Sequence, residues 1–203
     1  MVRSELAGES AEGADNLLSH ELTHQWFGDL VTCKDWTNTW LNEGFATFGA
    51  SLWEEHRYGS DAAAYDYWRD QNRWMPSREL FPIPIVTRDI SDSVEYVGNV
   101  YDKAGWVIHM LRGQLGDDAF FAAMKHYLET YRLQNVVTAD LVKAIEDSTG
   151  TNVDPFFDQW IFGAGAPRFV VRSSYDEAMK KVSLSVKQTQ KVEGRVGLFR
   201  VPI

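Results

Sequence analysis

The chain has 203 residues, enough for one well-buried core or for one domain and part of a second. Its 44% hydrophobic and 24% charged residues are ordinary for a globular protein, and a formal net charge of −9 argues against general nucleic-acid binding, which needs clustered Lys and Arg. No apolar run reaches the roughly eighteen residues of a membrane span, and the polar start MVRSELAGESAEGADN has no signal-peptide core. The expectation is therefore no membrane partner and, by default, a cytoplasmic location.

Taken in chain order, residues 1 to about 13 read as a small, polar lead-in. Asp15 or Asn16 can cap a helix from Leu17 to Phe27, with Gly28 as its C-cap. An aromatic-rich connection over 29–40 precedes a second helix of about 40–57, capped by Asn38 or Thr39 and ended by Gly59. Its apolar face is Trp40, Phe45, Phe48, Leu52 and Trp53. A third helix starts at Ser60-Asp61, with Tyr65, Trp68 and Trp74 turned inward. Met75 to Pro84 reads as an extended, proline-rich loop, and 85–100 is turn-forming. Helices follow over Val100–Leu115, about 118–132, Thr138 to about Ser148, and a short one opened by Asp154-Pro155. From Ala166 the period changes: RFVVRSSYDEAMKKVSLSVKQTQ alternates apolar and polar residues, as a hairpin or meander would. The division is thus a helical unit, 1–165, and a β module, 166–203, with too few strands to be a complete sandwich.

The stretch with chemistry is His20-Glu21-Leu22-Thr23-His24. It reads H-E-x-x-H, and two histidines four apart share one face of a helix, so both imidazoles can reach one metal ion. Glu21 projects from a neighbouring part of the surface, suited to a proton-accepting role beside the metal. A catalytic zinc site needs three protein ligands and one open position. Glu43, in WLNEGFATF, can supply the third if a second helix crosses the first. Asn42 beside it and Thr47 one turn later can support the zinc histidines, since metal-bound imidazoles donate their other N–H to a fixed acceptor. The same pentapeptide also occurs on ordinary solvated helices, and the residues alone leave that alternative open. Cys33 reads as a small buried hydrophobe, and His56, His109 and His126 as surface or satisfied histidines. Trp26, Trp36 and Trp40 read as packing between the two motif helices.

The longer string HELTHQWFGDLVTCKDWTNTWLNEGFATF, with eighteen residues between His24 and Glu43, resembles the aminopeptidase N-type zinc metallopeptidases, the gluzincin aminopeptidases. VYDKAGWVIHML resembles the segment in which that family keeps its catalytic tyrosine, which falls on Tyr101; Tyr96 matches a second, substrate-binding tyrosine. Ala104 stands between the Lys and Gly that the family keeps adjacent. The resemblance implies a mainly α fold: the helical lobe of a thermolysin-like metallopeptidase domain, followed by a few strands of a partial β-sandwich. It also implies one Zn2+ per chain on His20, His24 and Glu43, a peptide substrate, and further domains covering part of the surface. ELAGESAEG is not the family's amine-binding G-x-M-E-N segment, so the chain is expected to be a truncated piece.

The implied reaction is zinc-dependent hydrolysis of peptide bonds that releases amino-terminal residues. Glu21 is the general base and Tyr101 the donor to the developing oxyanion. The competing expectation is a catalytically silent zinc-binding fragment of such an enzyme.

Overall fold

The computed structural model describes residues 7–74, 83–88 and 98–202. Helix α1 spans Ala7–Thr23, starting earlier and ending earlier than its expected bounds. The lead-in AGESAEGA is rich in Ala and Glu, strong helix formers that outweigh its two glycines. At the other end the chain tightens into turns, with Gln25 N–H on the Leu22 carbonyl and Trp26 N–H on that of Thr23. Strand β1, Val31–Cys33, and a 3-10 turn, Trp36–Asn38, lead to α2, Trp40–Tyr58. Gly59 closes α2 at φ 93, a conformation that favours glycine.

Thr39 occupies the N-cap position of α2 without a capping side-chain bond. Asn38 caps a different helix. Its Oδ1 accepts from both the N–H and the Oγ1 of Thr138, each at 2.9 Å, at the start of α6 (Thr138–Thr149). Trp40 Nε1 donates to the same Thr138 hydroxyl at 2.9 Å. The side chain solves the larger problem: the buried N–H of Thr138 needs an acceptor that its own helix cannot supply.

Helix α3 runs Ser60–Trp74. Tyr65 and Trp68 do not turn inward; they are 58% and 56% exposed and stack on each other, with ring centroids 5.7 Å apart. The buried side of α3 is marked instead by Ala63, with Tyr67 one turn on. The side chain of Trp74 lies outside what is described. A π-helical turn, Asn99–Lys103, opens directly into α4, Ala104–Leu115, followed by α5, Asp117–Thr130, and α7, Asp154–Trp160, with proline in its first turn. The proline-rich stretch 75–82 lies outside the described residues.

Strand β2, Gln134–Val136, pairs in parallel with β1, Val31 facing Gln134 and Cys33 facing Val136. Strands β3, Phe169–Asp176, and β4, Lys181–Gln188, form the expected antiparallel hairpin. Phe169, Val171, Tyr175, Val182 and Leu184 share one face of it, and all are exposed. After the hairpin the chain returns to α7: Phe199 packs on Trp160 at 4.9 Å, and Gln159 bonds the backbone of Arg200 on both sides. The core lies among α2, α4, α5, α6 and α7, centred on Trp40, Phe45, Ile108, Phe120, Tyr127 and Phe157. On α2, Trp40, Phe45 and Phe48 are buried as expected; Leu52 is half-buried and Trp53 sits at the margin, against His56. The mainly α fold with a small antiparallel sheet is thus the one expected.

Candidate metal centre

Two close crossings bring the motif helices together. Where α1 meets α2, any Cβ on Gly49 would overlap the Thr23 side chain. Where α4 meets α2, a Cβ on Gly44 would stand 2.6 Å from that of Ala104, and one on Gly105 3.0 Å from the Thr47 methyl. Three glycines thus let three backbones approach, and the residues beside them face one another.

The result is a cluster of donors. Glu43 Oε2 lies 3.4 Å from His20 Nε2 and 3.3 Å from His24 Nε2. The two imidazoles meet edge to face at 4.9 Å. Among the described residues, this is the group of His, Cys, Asp or Glu whose donor atoms all lie within 4.8 Å of one another. Tyr101 stacks on His20 at 6.0 Å, the rings 12° from parallel, which sets its hydroxyl toward the Glu43 carboxylate. Burial pushes the Glu43 carboxyl up. The His20 hydrogen bond, the His24 charge and the Tyr101 hydroxyl together outweigh it and hold the group below its ordinary value.

The donors fit a zinc ion. A tetrahedron with metal–ligand bonds of about 2.1 Å has edges of about 3.4 Å, the spacing that Glu43 keeps from each histidine. One carboxylate oxygen and two imidazole nitrogens, each half-buried, are a borderline-soft set suited to zinc and leave a fourth corner open. His24 Nδ1 lies 3.0 Å from the Phe27 carbonyl oxygen, so the Nδ1–H can donate there and leave Nε2 as the nitrogen available to a metal.

The other expected residues fall as follows. Glu21, beside His20 on α1, is exposed. Asn42 Oδ1 accepts from the Cys33 N–H at 3.1 Å, which ties α2 to β1 rather than to a histidine. Thr47 bonds back to the Glu43 carbonyl at 2.8 Å while its methyl meets the Gly105 position, so it braces the α2–α4 crossing. Tyr96 lies outside the described residues. Trp40 packs between helices as expected, but Trp26 and Trp36 are 47% and 72% exposed. His109 stacks on Tyr67 at 4.2 Å, and Cys33 is half-buried, its thiol pushed up chiefly by burial.

The residues that the sequence did not single out are those of the approach itself, Thr23, Gly49 and the Phe27 carbonyl; Ala104, noted there only for standing between Lys103 and Gly105, is the residue that Gly44 meets. Asn99 belongs with them: its carboxamide donates to the Ile83 carbonyl at 3.0 Å and pins the turn that carries Tyr101. A π turn at that place is a local signal of function, since such turns cluster at sites. Lys103, at the end of the turn, is buried, and burial pushes its ammonium down to about 7.

Residues 3–160 match the Peptidase family M1 domain. The chain belongs to the peptidase M1 family. Curated relatives include an "Aminopeptidase N" of Lactococcus lactis subsp. lactis, 34% identical over 74% of this chain and 19% of that protein. An "Aminopeptidase M1-A" of Oryza sativa subsp. japonica is 32% identical over 92% of this chain and 21% of that protein. This M1 chain thus spans about a fifth of the length of the relatives it matches. A crystal structure of an M1 zinc metallopeptidase from Deinococcus radiodurans, a mutant bound to a Tyr-Ser-Ala substrate, superposes with a TM-score of 0.63 at 30% identity. It covers 75% of this chain and 34% of that one. Legionella pneumophila aminopeptidase A, in complex with aspartic acid, shares the fold with a TM-score of 0.67 at 24% identity. No helix among the described residues of the M1 chain is long and apolar enough to cross a membrane.

Proposed function

We propose that this M1 chain carries the zinc site and acid–base residues for hydrolysing peptide bonds, with release of amino-terminal residues from peptides. The observation that carries the reading is the convergence of His20, His24 and Glu43, from two helices, at spacings fitted to one zinc ion. Removal of amino-terminal residues is supported by the relatives, which are named as aminopeptidases.

When bound, zinc supplies Lewis acidity, which polarises a carbonyl and makes water a stronger acid near neutrality. The rest belongs to the chain's own side chains. His20 and His24 give neutral nitrogen donors, and Glu43 gives one negative charge. Glu21, exposed next to His20, accepts a proton from the attacking water and passes it to the departing amine. Tyr101 presents its phenolic O–H beside Glu43, where a carbonyl oxygen gathering charge can take the hydrogen bond.

Leu17, Leu18 and Leu22 flank Glu21 on α1 and are 60%, 65% and 59% exposed. Apolar surface of that kind supports the reading that further parts of an M1 enzyme cover this face. The change of period at 165/166 and the exposed apolar face of the β3–β4 hairpin support 166–203 as the start of a second module.

The test is metal analysis together with turnover of an amino-acyl chromogenic substrate. One zinc per chain with turnover is expected, and Glu21→Gln should keep the zinc while losing about 10²- to 10⁴-fold in rate. Zinc without turnover in the parent chain would instead establish a silent zinc-binding chain. Cleavage of a peptide with a blocked amino terminus would redirect the reading to endopeptidase chemistry.

A further inference from the structure

His24 closes the last turn of α1, its N–H on the His20 carbonyl at 3.3 Å, which fixes its backbone but not the orientation of its ring. The corner that follows does. Phe27 offers its carbonyl oxygen to His24 Nδ1 at 3.0 Å, and its own ring stacks on Phe45 at 4.2 Å and 5° from parallel. Phe45 sits on α2, two residues after Glu43. One residue therefore touches the second donor through its backbone and the helix of the third donor through its side chain.

Gly28 makes the corner possible. It takes φ +150, and a Cβ there would lie 3.0 Å from the His24 carbonyl oxygen and 3.3 Å from His24 Nδ1. The chain folds over the imidazole edge only because nothing projects from this residue. The corner is then closed by Gly28 N–H on the Val31 carbonyl at 2.9 Å and by Thr32 Oγ1 on the Gly28 carbonyl at 2.6 Å.

We propose that the Phe27–Gly28 corner is the positioning device of the His24 zinc ligand, setting its ring orientation and coupling it to the helix that carries Glu43. The proposal rests on the zinc-site reading. Phe27 and Gly28 act through His24 and are positioning residues. Outer partners of this kind govern metal affinity, and their loss costs about 10- to 100-fold.

The experiment compares zinc affinity, by competition with a chromogenic chelator, in the parent chain and three variants. Gly28→Ala adds the Cβ at the imidazole. Gly59→Ala imposes the same kind of backbone strain at φ +93, where an added Cβ meets nothing within 4 Å. Both should melt at lower temperature than the parent, but only Gly28→Ala should bind zinc about 10- to 100-fold more weakly. Phe27→Leu leaves Gly28 in place, removes the stack on Phe45, and should weaken zinc in the same direction. It decides the matter if far-UV circular dichroism shows Gly28→Ala unfolded. Parent-like affinity in folded Gly28→Ala overturns the proposal, as does parent-like affinity in Phe27→Leu where Gly28→Ala is unfolded. An equal loss in Gly59→Ala also overturns it, since strain alone would then suffice. A parent chain that takes up no zinc overturns the metal-site reading itself, a different result from any of these.

Discussion

Gly44 and Ala104 meet at the α2–α4 crossing so closely that a methyl group on the glycine would stand 2.6 Å from that of the alanine. Gly44 directly follows Glu43, and Ala104 follows the turn that holds Tyr101, so this one contact sets how near the tyrosine comes to the carboxylate. Gly44→Ala should cost about 1–3 kcal/mol by overpacking, read as a shift in the midpoint of urea unfolding. Adding Ala104→Gly removes the opposing methyl and should recover part of that loss. Additive destabilisation in the double variant would show that the two residues do not share the contact.

Zinc should stabilise the fold, because the donors come from two helices that unfolding separates. With free zinc at about 100 times its dissociation constant, the gain is about 2.7 kcal/mol, visible as a rise in melting temperature that EDTA reverses. Glu43→Ala removes the only donor that α2 contributes to this cluster and should abolish the response. A melting temperature indifferent to zinc in the parent chain would contradict the site.

Tyr101→Phe separates the two things that this tyrosine does. The ring stacked on His20 remains, and with it the fold and the zinc; the hydroxyl that faces Glu43 is lost. Turnover of an amino-acyl substrate should fall by about 10²- to 10³-fold, as when one oxyanion donor is removed, with zinc content unchanged. Full activity in Tyr101→Phe would leave Tyr101 as a packing residue.

The parts of this site that were legible in the sequence are those that depend on a helix's own period. His20 and His24 four apart share a face whatever surrounds them, and Glu43 fell to a second helix with a clear apolar stripe. What escaped depends on a second element arriving. Gly49 and Gly44 look like helix-weakening residues until Thr23 and Ala104 are set against them. Asn38 looks like a local cap, yet its acceptor serves Thr138, a hundred positions away. The pairing of β1 with β2 joins two three-residue strands across a similar distance, too short for any alternation to register. Tyr65 and Trp68 mislead for a related reason: aromatic character suggests burial, while the packed side of α3 is marked by the small Ala63.

Arg112 gives a pH dependence whose sign can be worked out. Its guanidinium grips Glu55 at 2.6 and 3.1 Å and Asp117 at 2.8 and 2.9 Å, joining α2, α4 and the start of α5. The Arg112 hydrogen bonds hold the Glu55 carboxyl below its ordinary value, against a smaller burial effect in the opposite sense. The unfolded chain therefore binds the proton more readily than the folded one. Glu55 contributes stability above the ordinary carboxyl value, and the contribution disappears as pH falls through the lowered, folded value. Its side chain is 33% exposed, so solvent screening limits the effect to about 0.5–1 kcal/mol. Urea unfolding of the parent and of Glu55→Gln should differ by that amount at neutral pH and converge on acidification. A difference that stays constant through the carboxyl range would mean that Glu55 acts by packing rather than by charge.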